Sequence, residues 1–286
     1  MTTGSVAEQV ASVPGEIQYL SPQSTVLRRF TAPGASINTG AYESHVVPIQ
    51  NARPVQDSFR LDTHGFEILR HPSAVSDFTD KEELDAVYIP EVVEFVRERT
   101  GADEVVSRGW VRRRSAAPAE NASQPQAALV HIDYGPEGAA MTAARVYAEQ
   151  FPDGPGYSRV LATSVWRVFS PPPQDWPLAL CDFRSVREEE GLPNQLYFVD
   201  KVPEDPMTEP VDESKMVTSG SEFVYSPEHE WWYFPDMTRD ELLFFVFNDS
   251  DHSRAWRVVH TAFRDPTVET ATPRHSIEFR TFAFFH

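Results

Sequence analysis

The sequence predicts a mainly β protein with flanking helices. Three observations carry this. The 24 prolines are spread along the 286 residues, and proline inside a helix removes a donor and clashes with the preceding turn, so a helical bundle is disfavoured. Segments rich in aromatic and β-branched residues lie between the prolines, and these residue types favour strands. In the second half, about eight such runs alternate with turns rich in Pro, Asp, Ser and Gly, the spacing of an antiparallel sandwich or barrel.

Taken in order, residues 1–20 read as peripheral. VLRRF, HVVPIQ and GFEILRH, within residues 25–71, are short enough to be strands, and residues 57–64 have turn or short-strand character. Apolar residues at Leu84, Val87, Tyr88, Val92, Phe95 and Val96 give a helical period over residues 80–99. Thr79 and Glu82 have the spacing of a capping box, and Pro90 is positioned to split the run into two pieces. Residues 103–112 read as a strand. Residues 115–127, SAAPAENASQPQA, read as a surface loop joining two strands. A second helix is expected over residues 138–149, stopped by FPDGPG. The strands that follow are RVLATSVWRVF, LALCDFR, QLYFVDKV, SEFVYSP, EWWYFP, ELLFFVFND, AWRVVHTAF and SIEFRTFAFF. The sequence holds no internal repeat, no GxGxxG and no GxxxxGK[ST], so neither a dinucleotide fold nor a P-loop has support.

Composition excludes several function classes. With 25 Lys plus Arg against 43 Asp plus Glu, the net charge is −18. Such a chain lacks the cationic surface that a broad nucleic-acid face needs, although a local basic pocket remains allowed. Cys181 has no partner for a disulfide within the chain, and a cysteine-rich zinc site is ruled out. Its apolar setting in LALCDFR reads as buried core. No basic and apolar leader and no long apolar run are present, so a cytoplasmic protein without a membrane span is expected. The arginines at 112–114 read as a solvated edge, and the glutamates at 188–190 as surface.

The most informative short sequence is His131-Ile132-Asp133, at the end of the apolar run ALVHID. Residues two apart in a strand point to the same face. One imidazole nitrogen and one carboxylate oxygen can therefore approach one ion, as in a 2-His-1-carboxylate site. Alone, the tripeptide more readily describes a strand-end histidine hydrogen-bonded to Asp133. His260, in AWRVVHTAF, is the best distal partner, its alternative being an interior histidine satisfied by a backbone carbonyl. Arg274 lies fourteen residues later and opens the last strand. It can pair in bidentate fashion with a carboxylate, and Ser276 faces the same side.

H-x-D, a distant histidine and then R-x-S on the last core strand resemble the iron(II)- and 2-oxoglutarate-dependent oxygenases. HIDYGPEGAAMTAAR, SVWRVFSPPPQDWPLALCDFRSV, EWWYFPDMTRDELLFFVFNDSD and HTAFRDP…PRHSIEFRTFAFF are similar to the hydroxylase/desaturase family of natural-product pathways, with its AsaB-like, gibberellin desaturase-like and CmcJ-like members. The likeness covers roughly residues 100–286. It implies a double-stranded β-helix (jelly-roll, cupin-like) core, with residues 1–100 as an N-terminal elaboration of a single oxygenase domain over 1–286. It implies Fe(II) on His131, Asp133 and His260, with 2-oxoglutarate and O2 as co-substrates. Arg274 and Ser276 are implied as the clamp on the far carboxylate of 2-oxoglutarate, with Arg280 as the rival arginine on the same face. The implied reaction hydroxylates or desaturates a small organic metabolite, releasing succinate and carbon dioxide.

Tyr134, Arg159, Trp166, Arg167 and Trp232 are the candidate substrate contacts. Arg167 is expected either to hold an acidic substrate or to pair with Asp182. By period, Trp232 and Phe234 share one face while Trp231 and Tyr233 share the other. Two other readings stay open: a cupin-like metalloenzyme independent of 2-oxoglutarate, and an accessory or binding protein that keeps the fold. No nucleic-acid or membrane partner is expected. A homodimer through exposed sheet edges, or a pathway partner protein, is left open.

Overall fold

The computed structural model describes residues 11–115, 123–124 and 126–286. Its strands in chain order are β1 (Ser12–Leu20), β2 (Arg28–Ala32), β3 (Ala35–Asn38), β4 (Tyr42–Asn51), β5 (Phe66–Arg70), β6 (Glu104–Arg114), β7 (Ser123–Gln124) and β8 (His131–Ile132). They continue as β9 (Arg159–Val168), β10 (Leu178–Cys181), β11 (Leu192–Phe198), β12 (Met216–Glu222), β13 (Trp231–Tyr233), β14 (Glu241–Asp249), β15 (His260–Ala262) and β16 (His275–Phe285). One sheet has ten strands in the order β1-β4-β13-β10-β15-β8-β12-β11-β2-β3. The other has six, β5-β14-β9-β16-β6-β7.

The larger sheet is mixed rather than purely antiparallel, because β4 and β2 join β13 and β11 in parallel. The N-terminal strands thus extend edges of sheets built by the second half of the chain. Most of the loop expected over residues 115–127 lies outside the described residues, except that β7 pairs in parallel with β6. Of the run AWRVVHTAF only β15 is strand, and its first residue is the histidine.

The main core lies between the sheets, and strand period decides which residues enter it. Leu178 and Leu180 of β10 join the inter-sheet core, while Ala179 and Cys181 join a second cluster on the opposite face. Trp232 and Phe234 likewise pack inward and Trp231 and Tyr233 outward, as their alternation predicts. Every residue of β9 after Arg159 is buried, so the smaller sheet is covered on both faces.

The outer cover is a helical run, α1 (Lys81–Glu83), a π-turn (Leu84–Tyr88) and α2 (Ile89–Thr100). Asp80, not Thr79, caps it, accepting from the backbone N–H groups of Glu82 and Glu83. Pro90 does not break the run. The π-turn closes with Ile89 N–H donating to Leu84 O, and Pro90 falls in the first turn of α2, where its missing donor costs little. Helix α3 (Pro136–Gln150) packs on β12 so closely that a Cβ on Gly138 would lie 2.0 Å from the Ser219 carbonyl oxygen. Among the described residues, no helix is long and apolar enough to cross a membrane.

Two outcomes follow from this packing. Gly138→Ala forces α3 off β12 and should cost about 1–3 kcal/mol of stability, the usual scale of overpacking, read by chemical denaturation; unchanged stability would contradict the contact. Cys181 is fully buried, and burial pushes its thiol pKa up to about 12. A disulfide reagent at pH 8 should therefore leave the native protein unlabelled and modify one thiol in denaturant.

Candidate metal centre

Strand β8 is only two residues long, yet its neighbours fix it. His131 lies opposite Glu222 of β12 on one side and opposite His260 of β15 on the other. The chain then leaves the sheet at once. Gly135 precedes α3 and Pro136 occupies its first turn, so Asp133 sits on the short connector between a pinned strand and a docked helix.

One ligand atom from each of His131, Asp133 and His260 lies within 4.8 Å of the other two. Both imidazoles are oriented in the same way. His131 Nδ1 is 2.6 Å from Leu129 O, and His260 Nδ1 is 3.0 Å from Val258 O. A carbonyl only accepts, so each Nδ1 carries the proton and each Nε2 keeps a free lone pair. Burial, with His260 close by, lowers the His131 pKa to about 4, so its ring is neutral at pH 7. The rings of Phe245 and Phe247 stand with centroids 5.0 and 5.9 Å from the His260 ring and restrict its rotation.

Burial alone would raise the Asp133 carboxyl pKa, but the Arg280 guanidinium holds it well below its usual value. Oδ1 accepts from Arg280 Nη2 at 3.1 Å, and Arg280 Nε donates to Glu278 at 2.6 Å. Asp133 Oδ2 is buried, 3.6 Å from His260 Nε2, and has no hydrogen-bond partner among the described residues. A buried acceptor without a donor is costly. Two imidazole nitrogens and one such oxygen on one side of an ion fit Fe(II) and leave further coordination positions open.

Strand β16 pairs with β9 in unbroken register from Ser276 to Phe285. Ser276, Glu278 and Arg280 therefore share the face that meets Asp133, with Arg274 at its head. Arg274 is almost fully buried. Its backbone N–H donates to Ser115 and Asp175, its Nη1 donates to Trp176 O at 2.6 Å, and its guanidinium lies 5.5 Å from the Trp166 ring centre. Burial, with Arg113 nearby, lowers its pKa to about 9. Arg274 Nε and Ser276 Oγ are both buried without a hydrogen-bond partner among the described residues.

A cavity of about 680 Å³ opens beside the centre, with His131, Asp133 and Arg280 in its wall. None of the five expected substrate contacts lines it. Tyr134 packs between the rings of Phe247 and Phe282. Trp166 lies under Arg274. Trp232 is on the inward face but two strands from His260, with Leu180 between them. Arg159 and Arg167 occupy odd positions of β9, which face away from the centre. Arg159 is paired with Asp249. Arg167 reaches Tyr88, the Arg239 carbonyl and His71, and Asp182 instead pairs with Arg184.

The cavity wall contains residues that pattern reading passed over. Arg113 was part of the supposed solvated edge, but alternation turns it into the cavity, across from Ser276, while Arg112 is buried and donates to Thr79 O. Register with β16 is the signal that separates them. Glu190, read as surface, is half-buried and bonds His229 at 2.9 Å. Asn194, Glu222 and the hairpin residues Arg29 and Asn38 also line the cavity. No local motif marks them, because they come from four different strands or strand ends.

Replacing Arg280 by Gln removes the cation that holds Asp133. Divalent metal affinity, measured by Mn(II) titration, should fall by roughly 10–100-fold; unchanged affinity would show that Arg280 does not support the ligand.

Comparison with known proteins agrees with this geometry. A family model described as oxidoreductase/YMDC permease-like domain matches residues 17–284. Hydroxylase/desaturase CTB9 of Cercospora beticola is 31% identical over 263 residues, covering 85% of this chain and 78% of that protein. Fe(II)/2-oxoglutarate-dependent dioxygenase nvfI of Aspergillus novofumigatus is 30% identical, covering 88% of this chain and 87% of that protein. A solved structure of the iron and alpha-ketoglutarate-dependent endoperoxidase NvfI superimposes with a TM-score of 0.79 at 26% identity, covering 96% of this chain and 98% of that one. The two sheets and flanking helices are thus of the double-stranded β-helix type. The chain belongs to the oxidoreductase/YMDC permease-like family and is an Fe(II)/2-oxoglutarate-dependent oxygenase related to the fungal hydroxylases and desaturases.

Proposed function

We propose that the protein hydroxylates or desaturates a small-molecule natural-product intermediate, with succinate and carbon dioxide as co-products. The observation that carries this is the convergence of three ligand atoms, the unpartnered Asp133 Oδ2 among them, beside a cavity of substrate size. The names of the relatives, hydroxylase/desaturase and 2-oxoglutarate-dependent dioxygenase, support the same reaction class. We read residues 1–286 as one oxygenase domain, with residues 1–100 elaborating a core formed by the remainder.

In this reading His131 Nε2, Asp133 Oδ2 and His260 Nε2 hold Fe(II). Iron and 2-oxoglutarate together supply a two-electron oxidant from dioxygen, the electrons coming from decarboxylation of the co-substrate. Arg274 and Ser276 hold the far carboxylate of 2-oxoglutarate. Arg280 is less suited to that role, because its guanidinium is already engaged by Asp133 and Glu278. Arg274 has no ion pair among the described residues, and its unpartnered Nε matches the unpartnered Ser276 hydroxyl. The chain's own task is to fix the geometry of the substrate C–H bond and to exclude competing reactions.

Purified protein should convert 2-oxoglutarate to succinate only with Fe(II) and dioxygen, and His260→Ala should abolish the conversion. Arg274→Gln should raise KM for 2-oxoglutarate at least about tenfold, the scale of a lost charge-assisted pair, with a smaller change in kcat. Succinate formation without Fe(II), or an Arg274→Gln enzyme with an unchanged KM, would contradict the assignment.

A further inference from the structure

Beyond the ligands and the clamp, the cavity wall holds a cation without an assigned task. Arg29 is exposed on β2 and lines the same cavity as His131 and Asp133. Strand period puts its side chain there. Its chain neighbours serve the other face: Arg28 Nη1 donates to Glu209 O at 3.0 Å, and Phe30 is buried and stacks on Tyr197 with ring centres 5.5 Å apart. Its cross-strand neighbours share its own face. Leu196 of β11 and Asn38 of β3 stand opposite Arg29 on its two sides, and both line the cavity.

The other charges of this wall are engaged. Arg280 is held by Asp133 and Glu278, and Arg113 has an interaction of its own. Glu222 is buried and accepts from Tyr42 Oη at 2.7 Å, Asn194 Nδ2 at 2.6 Å and Asn38 Nδ2 at 3.3 Å. It stands opposite Leu192, four positions along β11 from Leu196, so its backbone is offset from Arg29 by roughly 13 Å along the strands. Among the described residues the Arg29 guanidinium makes no ion pair and no hydrogen bond. A chain of net charge −18 thus leaves a cation without a counter-ion in the wall of its candidate substrate cavity.

We infer that Arg29 anchors a carboxylate group of the substrate at the end of the cavity remote from the metal ligands. This rests on the cavity being the substrate site of the oxygenase proposed above. A carboxylate matches the guanidinium fork with two parallel hydrogen bonds and brings one charge to one cation. A phosphate monoester would bring close to two, and an ammonium group would meet Arg29 with like charge. The field of an acidic exterior repels anions, so an anionic substrate needs a local cation in the cavity itself. Strand β2 is three strands from β8, roughly 14 Å across the sheet. The acid group is therefore distant from the oxidised carbon, and its seat is separate from the one assigned to 2-oxoglutarate at Arg274. Val111, Leu129 and Leu196 supply apolar wall for the rest of the molecule.

The test uses a panel of bicyclic and tricyclic monocarboxylic acids, each paired with its primary amide, which keeps the shape and removes the charge. Binding is measured by calorimetry on the full chain loaded with Mn(II) and saturating 2-oxoglutarate. The best-bound acid should bind about tenfold more tightly than its amide, the lower end for a charge-assisted pair because the guanidinium is exposed. Raising the salt from about 0.05 M to about 0.5 M should shrink that preference. Arg29→Gln should erase it by weakening the acid while the amide is unaffected. Equal binding of acid and amide to the native protein, absence of binding by every acid, or a preference that survives in Arg29→Gln would overturn the inference. The native comparison needs no variant, so a poorly folding Arg29→Gln does not shield it. Succinate release by Fe(II)-loaded native protein is scored separately: its absence counts against the oxygenase reaction, whereas the acid preference is a binding result on inert metal.

Discussion

The centre depends on one register, His131 opposite His260 across β8 and β15. A slip of one residue would turn either imidazole to the other face of the sheet. Strand β8 contributes only two residues to the sheet, so its own ladder cannot hold that register. Its neighbours do: β12 pairs on the far side, and α3 begins within four residues and docks against β12 through Gly138. Each imidazole is then locked by a carbonyl two residues back in its own chain. Packing thereby sets both the direction and the tautomer of the two nitrogen donors.

Around this register the protein gathers positive charge inside a chain of net charge −18. Arg113, Arg280 and Arg274 line or approach the inward face, each at a different depth along β6 and β16. Buried guanidinium groups require compensation. Arg280 has two carboxylates, whereas Arg274 has a backbone carbonyl and the Trp166 ring. That difference distinguishes an arginine that supports a ligand from one with capacity left for a co-substrate. Burial alone would not separate them. Arg167 is also fully buried, but on the outer face, where Tyr88, a carbonyl and His71 surround it.

Much of the architecture was legible in the sequence because it rests on period and punctuation. The alternation in EWWYFP assigned the two faces of β13, FPDGPG ended α3, and H-x-D with a distant histidine located the centre. Long-range pairing was not legible. The parallel joining of β2 and β4 to the second half and the outward facing of Arg159 and Arg167 both depend on which strands are neighbours. Pro90 illustrates the same limit at short range. Its breaker signal is real, but a π-turn relocates it to a first helical turn, where the missing N–H is harmless.

The most direct test of the account is an anaerobic crystal structure with Fe(II) and 2-oxoglutarate. The account predicts one iron bound by His131 Nε2, Asp133 Oδ2 and His260 Nε2, with the far carboxylate of 2-oxoglutarate on Arg274 and Ser276. Iron bound without His260, or a far carboxylate seated on Arg280 in place of Asp133, would contradict it.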